Sequence, residues 1–331
     1  MRLPYIVYKS LLYLLIINKV YAYSNVSVIN NNKFIPYFNA DSAYYFIEQQ
    51  VNFGPRVANT TAHKACKKYL KHQLKKYADK VYIQKFQATA FNAEPLQLYN
   101  IIASFNVACT HRILLAAHWD TRPFADKDTI SKQKPILGAN DGASGVAILL
   151  EVARIISQAP LKNLGIDILF FDGEDYGAPE GYQEKLPNRA MFWCLGSQFW
   201  SQHPHQTNYT AQYGILLDMV GSKNATFYKD AWSVHYANNH VNRIWKIAQE
   251  LGYAQYFISQ CSEQYILDDH YFINKYIHIP TINIIDHRPI TERCFPAYHH
   301  THADNLALIH KETLQAVGET VLQVIYTNHS E

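Results

Sequence analysis

No CxxC spacing occurs among the five cysteines, Cys66, Cys109, Cys194, Cys261 and Cys294. That excludes a thiolate zinc ribbon and a dense disulfide framework, and the odd number leaves at least one thiol unpaired. Long runs of Lys and Arg are also missing: the nearest, KKYLKHQLKKY from Lys67 to Tyr77, has the spacing of a helix's polar face. With a net charge of +3 over 331 residues, nothing points to nucleic acid as a partner. Internal repeats and Gly/Ser linkers are absent.

Apolar runs long enough to span a bilayer are lacking too. The run LLYLLII, Leu11 to Ile17, follows Arg2 and Lys9 and precedes VYA, Val20 to Ala22. That pattern predicts a secretory signal over residues 1–22, export to the periplasm or beyond, and no stable membrane insertion after cleavage. Residues 23–331, in a chain that is 48% hydrophobic and 17% charged, read as one globular domain.

Within that domain, apolar runs alternate with amphipathic ones. Strands are expected from Val81, Leu98, Arg112, Gly165, Tyr213 and Ile279, several with continuous apolar cores suited to a sheet covered on both faces. Helical spacing starts at Ser42, Thr61, Ser144, Asn238 and Lys311, and Gly252 is placed as a C-cap. The alternation predicts a three-layer α/β/α sandwich with a mixed, largely parallel sheet. Ligands of such folds gather beyond the carboxyl ends of the strands.

Acids and histidines collect at those ends. AHWD supplies His118 and Asp120, FFDGED supplies Glu174 and Asp175, and LLDMVG supplies Asp218. Asp141 lies in the Gly-rich loop GANDGASG, and YHHTHAD adds His299, His300, His302 and Asp304. Oxygen and imidazole donors without thiolates suit Zn²⁺ in an open catalytic site. In an extended strand His118 and Asp120 face the same way, so the carboxylate can orient the imidazole. Glu174 and Asp175 are adjacent and should point apart, one to metal and one to proton transfer.

The ordered set AHWD, GANDGASG, DGED, LLDMVG and HHTHAD resembles the M28-type zinc aminopeptidase fold from about Phe53 onward. Within it, HWDTRPFADKD, PILGANDGASGVAILLEVAR, WCLGSQFW and DDHYFI look most like the bacterial glutaminyl-peptide cyclotransferases. The resemblance implies one catalytic Zn²⁺ on Asp141, Asp175 and His300, with Glu174 as acid/base. It implies that Asp218 and Asp268 form an acidic network holding the substrate amine and the proton, and that Trp193 and His299 line the substrate pocket. The substrates would be peptides or proteins with N-terminal Gln. Animal cyclases differ in having Glu-Glu where this chain has Glu174-Asp175, and Trp where it has His299. A two-zinc aminopeptidase remains open, with His118 and Asp218 on one ion, Asp175 and His300 on the other, and Asp141 bridging. So does a metal-free binding module on the same fold, although no ligand is missing here. Arg122 either orients the pocket loop or lies on the surface.

Overall fold

Six apolar runs pair into one sheet. The computed structural model describes residues 35–183, 185–186, 188–289, 291 and 294–328. The expected signal segment lies outside them. Phe38–Glu331 form one compact unit; of the preceding unit only residues 35–37 are described. None of the described helices is long and apolar enough to cross a membrane.

The chain begins with two helices, α1 (Ala40–Val51) and α2 (Thr61–Leu74), each started by a polar cap: Asn39 accepts from the Ser42 N–H and Thr60 from that of His63. Strands β1 (Lys80–Thr89), β2 (Pro95–Phe105) and β3 (Arg112–His118) follow, then α3 (Ala143–Gln158) and β4 (Gly165–Phe171). The second half contains α4 (Leu195–Gln202), β5 (Gly214–Asp218), β6 (Phe227–Lys229), α5 (Ala231–Glu250), β7 (Phe257–Cys261), α6 (Asp269–Ile277), β8 (Thr281–Ile285) and α7 (Lys311–Thr327). The main sheet has the spatial order β1-β2-β4-β3-β5-β8. Its first two pairings are antiparallel and the other three parallel, the mixed sheet expected.

Register decides where the site lies. His118 pairs with Phe171, and Ala116 with Leu216, which brings His118 level with Asp218. The parallel strands therefore end at one rim. Period-2 alternation divides their side chains between two helical layers. Leu114, Ala116, Leu169, Phe171 and Leu216 pack with Trp200 of α4 and Ile273 of α6. On the other face α3 presses directly on the sheet, with α1 and α7 packed against it. Every residue of β3, β4, β5 and β8 is buried, as two covered faces require.

All six expected main-sheet strands and all five expected helices are present. Gly252 takes φ 90 just past the end of α5, the left-handed conformation of a C-cap glycine. The short α4 and α6 and the two-stranded β6/β7 pair were not anticipated; each is too brief to show a full period. Helix α5 starts at Ala231, earlier than the spacing suggests, because Asp230 caps it and a non-helical Ala237 breaks the periodicity.

Gly145 marks the tightest approach of α3 to the sheet. A Cβ there would sit 2.2 Å from the Leu217 carbonyl oxygen and 3.0 Å from the Ala117 Cβ. Backbone of a central strand cannot move aside cheaply. Gly145→Ala should therefore destabilise the protein by about 1–3 kcal/mol through overpacking, read as a lower urea midpoint at unchanged m value. An unchanged midpoint would mean that α3 does not lie this close.

Candidate metal centre and active-site cleft

His118 ends β3 with both ring nitrogens facing carboxylates. Its Nε2 lies 3.1 Å from Asp141 Oδ1 and 3.2 Å from Asp218 Oδ1, and its Nδ1 lies 3.4 Å from Asp120 Oδ1. Burial opposes a charge on this imidazole, but the three carboxylates outweigh it and raise its pKa well above the ordinary value. Asp120 also accepts the backbone N–H groups of Glu174 (3.1 Å) and Asp175 (3.3 Å). Asp120 thus stands beside His118, on the side from which it would orient the ring, and fixes the acid pair beyond β4, which the sequence did not reveal.

Asp141 sits in the loop before α3. Gly142 adopts φ 90, and a Cβ there would lie 2.9 Å from both the Asp120 carbonyl oxygen and His118 Cε1, so the close approach needs glycine. Arg56, fully buried, holds this loop by donating to the carbonyls of Trp119 (3.0 Å), Leu137 (2.7 Å) and Gly138 (2.8 Å). Asp304 accepts the N–H groups of Asn140 (2.7 Å) and Asp141 (3.0 Å). The Asp141 carboxylate is left to face the rim.

His300 comes from the long loop after β8, with φ 57. Its Nε2 lies 3.2 Å from Asp175 Oδ1 and 3.8 Å from Asp141 Oδ2, and its Nδ1 lies 3.6 Å from Asp126 Oδ1. A proton on Nδ1, toward Asp126, leaves the Nε2 lone pair toward Asp141 and Asp175. His299 is different: Lys127 Nζ donates to its Nδ1 at 2.8 Å, which puts the proton of the neutral ring on Nε2. Although its ligand atoms lie near those of Asp141 and His300, no lone pair remains for a cation. Burial, with the nearby cations, lowers both imidazoles well below their ordinary pKa. His302 instead offers its backbone N–H to Asp128 and does not join the group.

Arg122 is buried, so its surface placement is corrected. Its guanidinium forms a two-point contact with Asp126 (2.7 and 2.9 Å) and reaches Asp175 Oδ1 at 3.2 Å. It also lies 4.7 Å from the Trp193 ring centroid. Trp193 in turn is parallel to His300, with centroids 6.1 Å apart. The indole fits because residue 177 is glycine, whose added Cβ would lie 1.8 Å from the ring.

Glu174 and Asp175 do point apart, but in a bend past the last strand residue, Phe171, rather than within the strand. The third acid of that run, Asp172, is structural: it accepts the Tyr99 N–H at 2.6 Å and contacts His63 Nε2 at 2.8 Å. Glu174 faces Cys194 and Asp268, and the three offer ligand atoms within 4.8 Å of one another. Burial, with repulsion from Asp268 and Asp175, raises Glu174 well above its ordinary pKa. Asp175 is raised to about 7, chiefly by burial, and Asp218 and Asp268 to about 6. Glu174, Trp193, Asp218, Asp268, His299, Asp141 and His300 all line one cleft of about 520 Å³, whose wall includes Ile266, Ile285 and Phe295.

This donor set fits a divalent cation. His118, Asp141 and Asp218 offer ligand atoms within 4.8 Å of one another, and His300 reaches toward both Asp141 and Asp175. Asp175 Oδ2 is buried with no hydrogen-bond partner among the described residues, an arrangement costly in the absence of a ligand. The raised carboxylate pKa values have the same origin: buried negative charge with too few cations from the chain.

The structure of a glutaminyl cyclase from Tannerella forsythia is similar to this one, with TM-score 0.85 and 51% identity over 88% of this chain and 100% of the other. A Zn-dependent exopeptidase from Parabacteroides distasonis has TM-score 0.86 and 49% identity, covering 89% of this chain and 100% of that one. In sequence, the glutaminyl-peptide cyclotransferase of Drosophila melanogaster is 26% identical over 309 residues, covering 86% of this chain and 80% of that protein. The profile of peptidase family M28 matches residues 100–325. That match runs from β2 into α7 and carries every rim residue described above, and the chain belongs to peptidase family M28.

Proposed function

We propose that this protein is a zinc-dependent glutaminyl-peptide cyclotransferase, converting N-terminal glutamine of peptides and proteins to pyroglutamate with release of ammonia. The observation that carries the reading is the juxtaposition of Glu174 and Asp268 in the cleft beside the Asp141, Asp175 and His300 donors. Resemblance to the Tannerella forsythia glutaminyl cyclase supports it. The leader at residues 1–22 would export the enzyme.

Asp141, Asp175 and His300 would hold one zinc ion, which supplies Lewis-acid polarisation of the substrate's γ-carboxamide. The chain's own residues do the rest. Asp218 and Asp268 hold the α-amine of the terminal glutamine where it can reach its own γ-carbon. As the new C–N bond forms, Glu174 takes one proton from the attacking nitrogen. As the old C–N bond breaks, Glu174 returns that proton to the leaving nitrogen, which departs as ammonia. A carboxylate raised by burial and neighbouring acids holds the proton long enough to return it. Trp193 and His299 wall the cleft, the indole offering an apolar face and His299 an N–H donor.

A two-metal aminopeptidase is the second reading, because His118, Asp141 and Asp218 also cluster. Weighing toward the cyclotransferase are the buried acid Asp268 beside Glu174 and the 51% identity to a glutaminyl cyclase. Mass spectrometry separates the two: a Gln-initiated peptide should lose ammonia while a Leu-initiated one stays intact, and release of free Leu would favour the aminopeptidase.

Glu174→Gln should lower kcat by about 10² to 10⁴-fold, the scale of general acid/base assistance, with zinc content unchanged. Turnover at the wild-type rate would remove Glu174 from the mechanism. Asp141→Ala should lose zinc by elemental analysis, and full retention would take Asp141 out of the ligand set.

A further inference from the structure

Cys194 lies directly behind the Glu174 carboxylate. It is fully buried at the start of α4, with φ 55 and ψ 37, and two contacts join it to Glu174. Its backbone N–H donates to the Glu174 carbonyl at 2.8 Å, and its Sγ lies 3.1 Å from Glu174 Oε1 with the thiol as donor. The other charged groups acting on this carboxylate are His118, which favours its ionised form, and the acids Asp268, Asp175 and Asp269, which oppose it. Asp268 is fixed by other donors and gives Glu174 none: its Oδ1 accepts the Asp269 N–H at 2.5 Å and its Oδ2 accepts Asn283 Nδ2 at 2.6 Å. Asp269 adds a further buried carboxyl. Among the described residues the thiol is the one side-chain donor to Glu174. A carboxylate surrounded by acids and tethered at no oxygen would swing among rotamers.

We infer that Cys194 is a positioning residue for Glu174: its S–H, donating to Oε1, holds the carboxyl in one orientation so that the other oxygen serves the proton transfer. Burial and the adjacent Glu174 also raise the thiol well above its ordinary pKa, so the donor persists across the working range. The neighbouring chain supports the placement. Gly196 packs against Asp172 and Asn100, leaving no room for a Cβ, and so pins the first turn of α4 to the end of β4. Trp193, the cleft wall, is the residue before. One short segment thus shapes the pocket and aims its acid/base group.

The inference rests on Glu174 acting as the acid/base, and two measurements keep it separable from that reading. In the first, ammonia release from a Gln-initiated peptide is compared for the wild type, Cys194→Ala and Cys194→Ser, with melting temperature and zinc content as controls. Alanine and serine pay similar costs at this left-handed position, so the difference isolates the donor. Cys194→Ala should lower kcat roughly tenfold, the scale of one hydrogen bond to a charged group, with KM nearly unchanged. Cys194→Ser, which restores a donor, should recover most of that loss. Equal losses in both variants, or none in alanine, would overturn the proposal. The second measurement is the infrared S–H stretch of Cys194, assigned by subtracting the Cys194→Ala spectrum. It should be red-shifted in the wild type and move back in Glu174→Ala; a band that stays in place would also overturn the proposal. Wild-type protein that releases no ammonia would refute the cyclotransferase reading, and the infrared result then decides the contact alone.

Discussion

The carboxylate of Asp120 is the tie on which the site depends. It receives the N–H groups that open the Glu174–Asp175 pair and lies beside His118, so the ends of β3 and β4 share one anchor. Burial alone would push its proton affinity up, but His118 and those backbone donors hold its pKa below the ordinary value. Its neighbours shift the other way: Asp218, Asp268 and Asp175 rise to about 6 or 7. A rim of similar side chains is thereby divided into a permanent anion that builds and acids that can bind a cation or carry a proton.

So much buried charge needs support from outside the rim. Arg56 and Arg122 are both buried, and each anchors a loop: Arg56 the one carrying Asp141, Arg122 the ones carrying Asp126 and Asp175. Asp304 fixes Asp141 through its N–H. These groups spend their hydrogen bonds on backbone and on the Asp126 and Asp175 carboxylates, which fixes the rim side chains in place. The sheet does the coarse placement by ending its parallel strands at one rim, and the loops do the fine placement.

Much of this was legible in the sequence. Apolar runs with acid ends mark the strands, and register then brings His118, Asp218 and the Glu174–Asp175 pair together without further information. Of the set that the motifs single out, Asp141, His300, Glu174, Asp218, Asp268 and Trp193 line the cleft, and Asp175 lies just behind it against His300 and Arg122. What was missed depends on contacts between distant segments. Arg56 reads as an ordinary charged residue until the Asp141 loop folds over it. Cys194 belongs to an apolar motif until α4 turns it toward Glu174. The resemblance already separates His299 from His300, but the contact with Lys127, far earlier in the chain, that fixes the His299 tautomer leaves no mark in the sequence. Composition carries no trace of such pairings, and elements as short as β6 and α6 show no period to read.

The central claim is that a single cation on Asp141, Asp175 and His300 suffices, with His118 held by the carboxylates around it. Its most direct test is to strip the purified protein with a chelator and titrate zinc back while following ammonia release from a Gln-initiated peptide. Activity should plateau at one equivalent of zinc. A plateau reached only at two equivalents would contradict the account and place a second ion among His118, Asp141 and Asp218.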